Sequence, residues 1–202
     1  MELSQEKIRR HLPEYLNPND KTKLFEELKL FPDNIDSRIY SSHPELSDKI
    51  IYQGDIVSNQ PLVFLPNNIV KSNQVFIISN TCDIDLSNER VKTPRVVYCP
   101  IIQFQVYSQL VREYYDTVEA VDSHLNTIKK QRITSMFYLP EYGDITESIV
   151  LFDSTNNYLL DESNLERMLE NRVVSLANYG FYLFLVKLSI HFTRVEENVN
   201  RG

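Results

Sequence analysis

Apolar positions along the chain change period near residue 51, and that change predicts where helices give way to strands. Before it, apolar residues recur at helical spacing. The run SQEKIRRHLPEYL predicts a short helix with Ser4 as its N-cap, ended or kinked by Pro13. NPNDKTKLFEELKLFPD predicts a second helix, capped by Asp20, with Leu24, Phe25, Leu28 and Leu30 as its apolar stripe and Pro32 as its stop. Residues 33–50 carry turn formers and Pro44, and are expected to wrap the surface.

From residue 51 the apolar residues come in short β-branched and aromatic runs. IYQGDIVS, PLVFLP, QVFIIS and RVVYCPI predict strands, the last two covered on both faces because their apolar runs are nearly continuous. Residues 103–131 read as one or two helices. ITSMFYLP and SIVLFD predict two more strands, separated by a turn around Gly143. A last helix is expected over 165–197, with a wide stripe at positions 173, 176, 177, 180, 181, 184, 188, 191, 192 and 195. The whole pattern predicts an α+β architecture. An N-terminal helical extension, 1–50, precedes a small antiparallel sheet or barrel, 51–202, that carries a helical insert and a long C-terminal helix.

Composition narrows function more than fold. The chain holds only four Gly in 202 residues, with no GxGxxG or GxxxxGK, which argues against a Gly-rich phosphate loop. A net charge of -7 disfavours coating nucleic acid by bulk electrostatics and leaves room for a local basic patch. Residues 173–192 approach the length of a membrane span, but Asn178, Lys187 and His191 interrupt them. A helix buried in the protein is expected there, and no membrane partner. Met1 leads straight into charged residues, and the only cysteines are Cys82 and Cys99; together these predict a reduced, cytoplasmic setting.

Candidate chemistry concentrates where VFIIS ends in Asn80, Thr81, Cys82, Asp83 and Asp85. A strand end offers side chains on a rigid base. One reading makes Cys82 a nucleophile, with Asp83 orienting a histidine and His191 as the base, where the alternative for His191 is a hydrogen-bonded core residue on the apolar stripe of the last helix. The other makes Asn80, Thr81 and Asp83 a capped polar turn, with Cys82 packed inward as a small hydrophobe. The histidines, His11, His43, His124 and His191, show no metal-ligand spacing, and Asp83 to Glu89 lacks the Gly and Glu of a calcium loop. No metal and no cofactor are expected. Lys71, Arg90, Lys92 and Arg95 flank the same segment, and with Tyr52, Tyr98 and Asn80 they form a candidate for holding phosphates and stacking bases. The alternative is a solvated hairpin. KKQR, 129–132, suits a helix C-terminus.

The order GDIV, VFIIS, VVYCPI resembles the MazF/PemK/Kid-like growth-inhibitor toxins. Gly54, Asp55 and Ile56 match their first strand, Ile77, Ile78 and Ser79 their second, and Val96, Val97 and Pro100 their third. The resemblance implies an SH3-like barrel over roughly residues 51–102 and metal-independent cleavage of single-stranded RNA by an arginine and a Ser or Thr. Thr81 stands for the latter. Lys71 stands where the arginine is expected, without the planar fork that binds a transferring phosphate. The elements GDI, ISNTCDI, FYLP and HFTR also resemble a group of uncharacterised bacterial proteins found with phages and mobile elements.

Two function classes follow. One is a non-catalytic binding module of a mobile-element or phage-conflict system, recognising another protein or a nucleic acid through the rim around Asn80–Asp83, with a homodimer left open. The other is an enzyme at the same rim, a ribonuclease or a Cys-dependent hydrolase. A histidine or cation within hydrogen-bond reach of Thr81 or Cys82 decides between them.

Overall fold

The computed structural model describes residues 18–32, 35–41, 46–64, 66–67 and 69–193. Helix α1 (Pro18–Lys29) and a 3-10 turn (Ser37–Ile39) precede β1 (Ile56–Phe64), β2 (Ile69–Ile77), the one-turn helix α2 (Thr81–Ile84) and β3 (Arg95–Gln103). Helices α3 (Phe104–Tyr114) and α4 (Val118–Lys129) form the insert. Then come β4 (Met136–Leu139), β5 (Ser148–Leu151), β6 (Asn156–Leu159), α5 (Glu162–Glu170), β7 (Arg172–Val174) and α6 (Asn178–Thr193). The helix expected near Ser4, the side chains of Asp20 and Phe25, and Pro44, His11, His43 and residues 194–197 lie outside the described residues.

The architecture is α+β. Seven antiparallel strands form one sheet in the order β4-β5-β3-β2-β1-β7, with β6 also on β3. Closure, which the expected SH3-like barrel requires, is not seen among the described residues: β4 and β7 end the sheet as separate edges. The β4 edge is covered by one side chain. The Gln131 amide accepts from the Tyr138 N–H at 3.0 Å and donates to the Tyr138 carbonyl at 2.7 Å, taking the place of a further strand.

Alternation along the strands divides the core. Phe76 of β2 and Cys99 and Ile101 of β3 pack with Leu24, Leu28 and Phe184 under α1 and α6. Val75, Ile77, Val96 and Tyr98 point the other way, onto Ile84 of α2 and Met168 of α5. IYQGDIVS and PLVFLP, expected as two strands, share one, β1. It stays in register with β2 because of a bulge: pairing slips between Val57 and Gln60, and Asn59 takes φ 56°. One extra residue flips the side-chain parity, so Val57 and Leu62 face the same cluster. Pro61 is tolerated on a stretch bordered by β2 alone, since β7 pairs only with Ile56 and Val57.

The single helix expected over 165–197 is two helices with β7 between them. Asp161 caps α5 by accepting from the Asn164 N–H at 2.8 Å. Three residues of strand carry too few apolar positions to interrupt a helical stripe, so the pattern does not reveal β7. Within α6, Lys187 is 1% exposed and donates to the carbonyls of Gln131, at 2.8 Å, and Ile133. That is how a charge sits in this apolar run. No helix among the described residues is long and apolar enough to cross a membrane.

Candidate functional site

Beyond Ile77 the chain remains pinned to β3. The N–H groups of Ile78 and Ser79 both donate to the Val97 carbonyl, at 3.0 and 3.1 Å, and the Ser79 hydroxyl accepts from the Val97 N–H at 2.7 Å. Asn80 then caps α2, its side chain accepting from the Cys82 N–H at 2.9 Å. Ile84 is buried and anchors the turn. After it, the Asp85 carboxylate accepts from the Ser87 N–H and hydroxyl, at 2.9 and 2.8 Å. Those bonds hold its carboxyl below the usual range. The Cys82 carbonyl collects two donors, Asn88 at 2.9 Å and the Arg90 guanidinium.

A second turn closes on this one. Gly54, at φ 94°, lets residues 52–55 fold back so that the Gly54 N–H donates to the Ile77 carbonyl at 2.8 Å. The Gln53 N–H donates to Thr81 Oγ1 at 3.0 Å, and the Gln53 side chain to the Ile78 carbonyl at 2.9 Å. Beneath lies Asp55, fully buried. Its Oδ2 accepts from the Tyr52 N–H at 2.9 Å and lies 3.8 Å from Arg172, while Oδ1 has no partner in hydrogen-bond geometry. Burial pushes this carboxyl up to about 6, against Ser175, the Tyr52 N–H and Arg172, which favour the anion. Arg172 also donates to the carbonyls of Ser47 and Ile50, at 3.0 and 2.8 Å. Asp55 therefore ties β7 and the 47–52 loop to the turn that holds Thr81.

The fold thus gathers Asn80, Thr81, Cys82, Asp83, Arg90, Lys92 and Arg95 at one end of the sheet. Arg95 opens β3 and bonds Asn157 at 2.5 Å. Lys71 does not join them. It sits in β2 opposite Leu62, six residues from Ile77, or roughly 20 Å along the strand. His191 does not join them either. Its ring packs against Phe152 and Phe192, at centroid distances of 5.8 and 4.8 Å. Phe152 belongs to the core on one face of the sheet and Ile84 to the core on the other, so His191 is no base for Cys82. Tyr98 is buried with its hydroxyl on the Pro61 carbonyl, and the Tyr52 hydroxyl accepts from the Ser47 N–H. A base-stacking role is closed to Tyr98.

Of the two thiols, both free, Cys82 is exposed and Cys99 buried, its thiol pushed up to about 12 by burial. The inward-packed Cys82 of the polar-turn reading is thus corrected: Ile84 fills that place. No histidine, lysine or arginine side chain among the described residues hydrogen-bonds to Cys82 Sγ or Thr81 Oγ1. Nor does any group of three His, Cys, Asp or Glu residues there have the arrangement to hold a metal ion. Sequence reasoning missed Gln53, Asn88 and the structural part played by Asp55. A carboxylate between Gly54 and the apolar Ile56–Val57 was the available signal, since a charge leading into a buried strand requires a partner. No family model matches the chain, and no curated protein matches its sequence.

Proposed function

We propose that the protein is a non-catalytic binding module of a mobile-element or phage-conflict system, recognising a protein partner through the rim formed by Asn80–Asp83. The observation that carries this reading is how the reactive groups are engaged. The Thr81 hydroxyl accepts a backbone N–H, Arg90 is held on the Cys82 carbonyl, and neither Thr81 nor Cys82 has an acid–base partner among the described residues. Catalysis at either atom needs a group within hydrogen-bond reach to take its proton. Recognition needs a pre-ordered backbone with side chains facing outward. Asn80, Cys82, Asp83 and Lys92 are exposed on such a backbone.

The charges around the rim are mixed, with Asp83, Asp85 and Glu89 against Arg90, Lys92 and Arg95. Binding to phosphate backbones rests on a surplus of cations, so this balance favours a protein partner. The likeness of ISNTCDI to proteins found with phages supports the setting, a cytoplasmic one. The order GDIV, VFIIS, VVYCPI is compatible with an SH3-like core opened between β4 and β7. The test is incubation of the purified chain with a mixed single-stranded RNA pool in EDTA, beside a Thr81→Ala, Asp83→Ala double variant. Intact RNA with both proteins is the expected result. Cleavage by the wild type alone would replace this reading with a toxin-like ribonuclease acting from the same rim.

A further inference from the structure

The helical insert carries a concavity of about 290 Å³, lined by Tyr107, Leu110, Val111, Tyr114, Tyr115 and His124. Four of these six residues carry aromatic rings, and His124 locks two of the others in place. Its Nε2 meets the Tyr107 hydroxyl at 3.2 Å and its Nδ1 meets the Tyr115 hydroxyl at 3.4 Å. A neutral imidazole donates through one nitrogen and accepts through the other, so it satisfies both phenols at once. Tyr107 lies nearly parallel to His124, at 21°, while Tyr115 is tilted from it by 45°. Tyr114 then stands at 88° to Tyr115, 5.0 Å away. Tyr114 and Leu110 remain 79% and 55% exposed, so this aromatic wall faces water.

We propose that this concavity binds an alkylammonium group, a quaternary or methylated ammonium, free or borne on a side chain. Three observations converge. Ring faces attract cations, and here His124 occupies the polar ends of Tyr107 and Tyr115 while the exposed ring of Tyr114 lines the same concavity. Tyr114 and Tyr115 meet edge to face and form a corner, which suits a compact, rounded group, whereas a flat base stacks best between parallel faces. The insert is also acidic: Glu113, Asp116, Glu119 and Asp122 stand against Arg112 and Lys129 between residues 104 and 129, a net charge of 2 − 4 = −2 that draws cations in. This site is separate from the rim and does not depend on the reading given to it.

The test titrates the full chain with choline, with its neutral isostere 3,3-dimethyl-1-butanol and with adenosine, followed by calorimetry. A peptide carrying trimethyllysine and the same peptide with plain lysine separate the two sources of the cation. Choline or the trimethyllysine peptide should saturate one site, with the neutral isostere weaker by about tenfold. Tyr114→Leu keeps an apolar side chain but removes a ring face. It should weaken the cation by a similar factor while leaving thermal unfolding unchanged, because Tyr114 is exposed. Equal binding of the isostere would show an apolar cavity only. Preference for adenosine over choline, no saturable binding of either cation, or unchanged affinity in Tyr114→Leu would each overturn the proposal.

Discussion

Gly180→Ala is expected to destabilise the fold by about 3 kcal/mol, although alanine is the better helix former. A Cβ at Gly180 would lie 2.2 Å from the Ile39 carbonyl oxygen and 2.9 Å from both its carbon and the Ile39 Cα. The obstacle is backbone, and that backbone is held. The Ile39 carbonyl accepts from the Ala177 N–H at 2.9 Å, the Ser41 N–H donates to the Ser175 carbonyl at 2.9 Å, and Tyr40 bridges to Leu176. Lifting α6 off the 3-10 turn would cost packing around the fully buried Ile39 and the bond from Ala177. Helix propensity returns only about 1 kcal/mol. A fall in thermal midpoint on the order of 10 °C follows for a chain of this size. Gly143 is the control: a Cβ there meets nothing within 4 Å, and only its φ of 55° opposes alanine, at about 1 kcal/mol. Urea unfolding compares the two. A Gly180→Ala variant as stable as Gly143→Ala would contradict the docking of α6.

Lys187→Met is expected to remove a rise in stability that the wild type shows between about pH 7 and pH 10. Lys187 is 1% exposed, and its ammonium is met by the carbonyls of Gln131 and Ile133 rather than by a carboxylate. Burial pushes its pKa down to about 7 from the ordinary lysine value of 10.5. Below pH 7 the group is charged in both states, and the native state bears the cost of a buried cation. Between 7 and 10.5 the native state has lost the proton while the unfolded chain still binds it, so stability increases with pH. Each pH unit of that window is worth up to about 1.4 kcal/mol, and the two carbonyls, which favour the cation, reduce it.

Asp55 acts with the opposite slope. Its carboxyl, raised to about 6 from 3.8, holds a proton in the native state that the unfolded chain has lost, so stability falls as pH rises across that interval. The two groups together predict a trough of stability near pH 6 to 7. Asp55→Asn should flatten the acid side and Lys187→Met the alkaline side, each read from urea midpoints at stepped pH. A wild-type profile identical to that of Lys187→Met above pH 7 would sink the account of Lys187.

The parts of the fold legible in the chain are those where one residue type dominates a run. QVFIIS and RVVYCPI are strands because both their faces are covered, by Phe76 and Cys99 on one side and Val75, Val96 and Tyr98 on the other. β6 was hidden because Asn156 and Asn157 begin it, and β7 because its three residues continue a helical stripe. At the rim, the capping role of Asn80 could be read locally, since it joins Asn80 to Cys82 two residues away. The tie between Gln53 and Thr81 spans 28 residues, and periodicity carries no information at that separation. The same limit applies to His191 and Lys71, whose distance from Cys82 is set by which face and which end of the sheet they occupy.

The most direct test of the rim places a photo-crosslinking amino acid at position 83 and, in a second variant, at position 71, and irradiates expressing cells. A recognition surface at the rim predicts a discrete adduct from position 83 that protease removes and nuclease does not, with none from position 71. The absence of any adduct at 83 beyond that at 71, or an adduct that nuclease removes, would contradict a protein-binding rim.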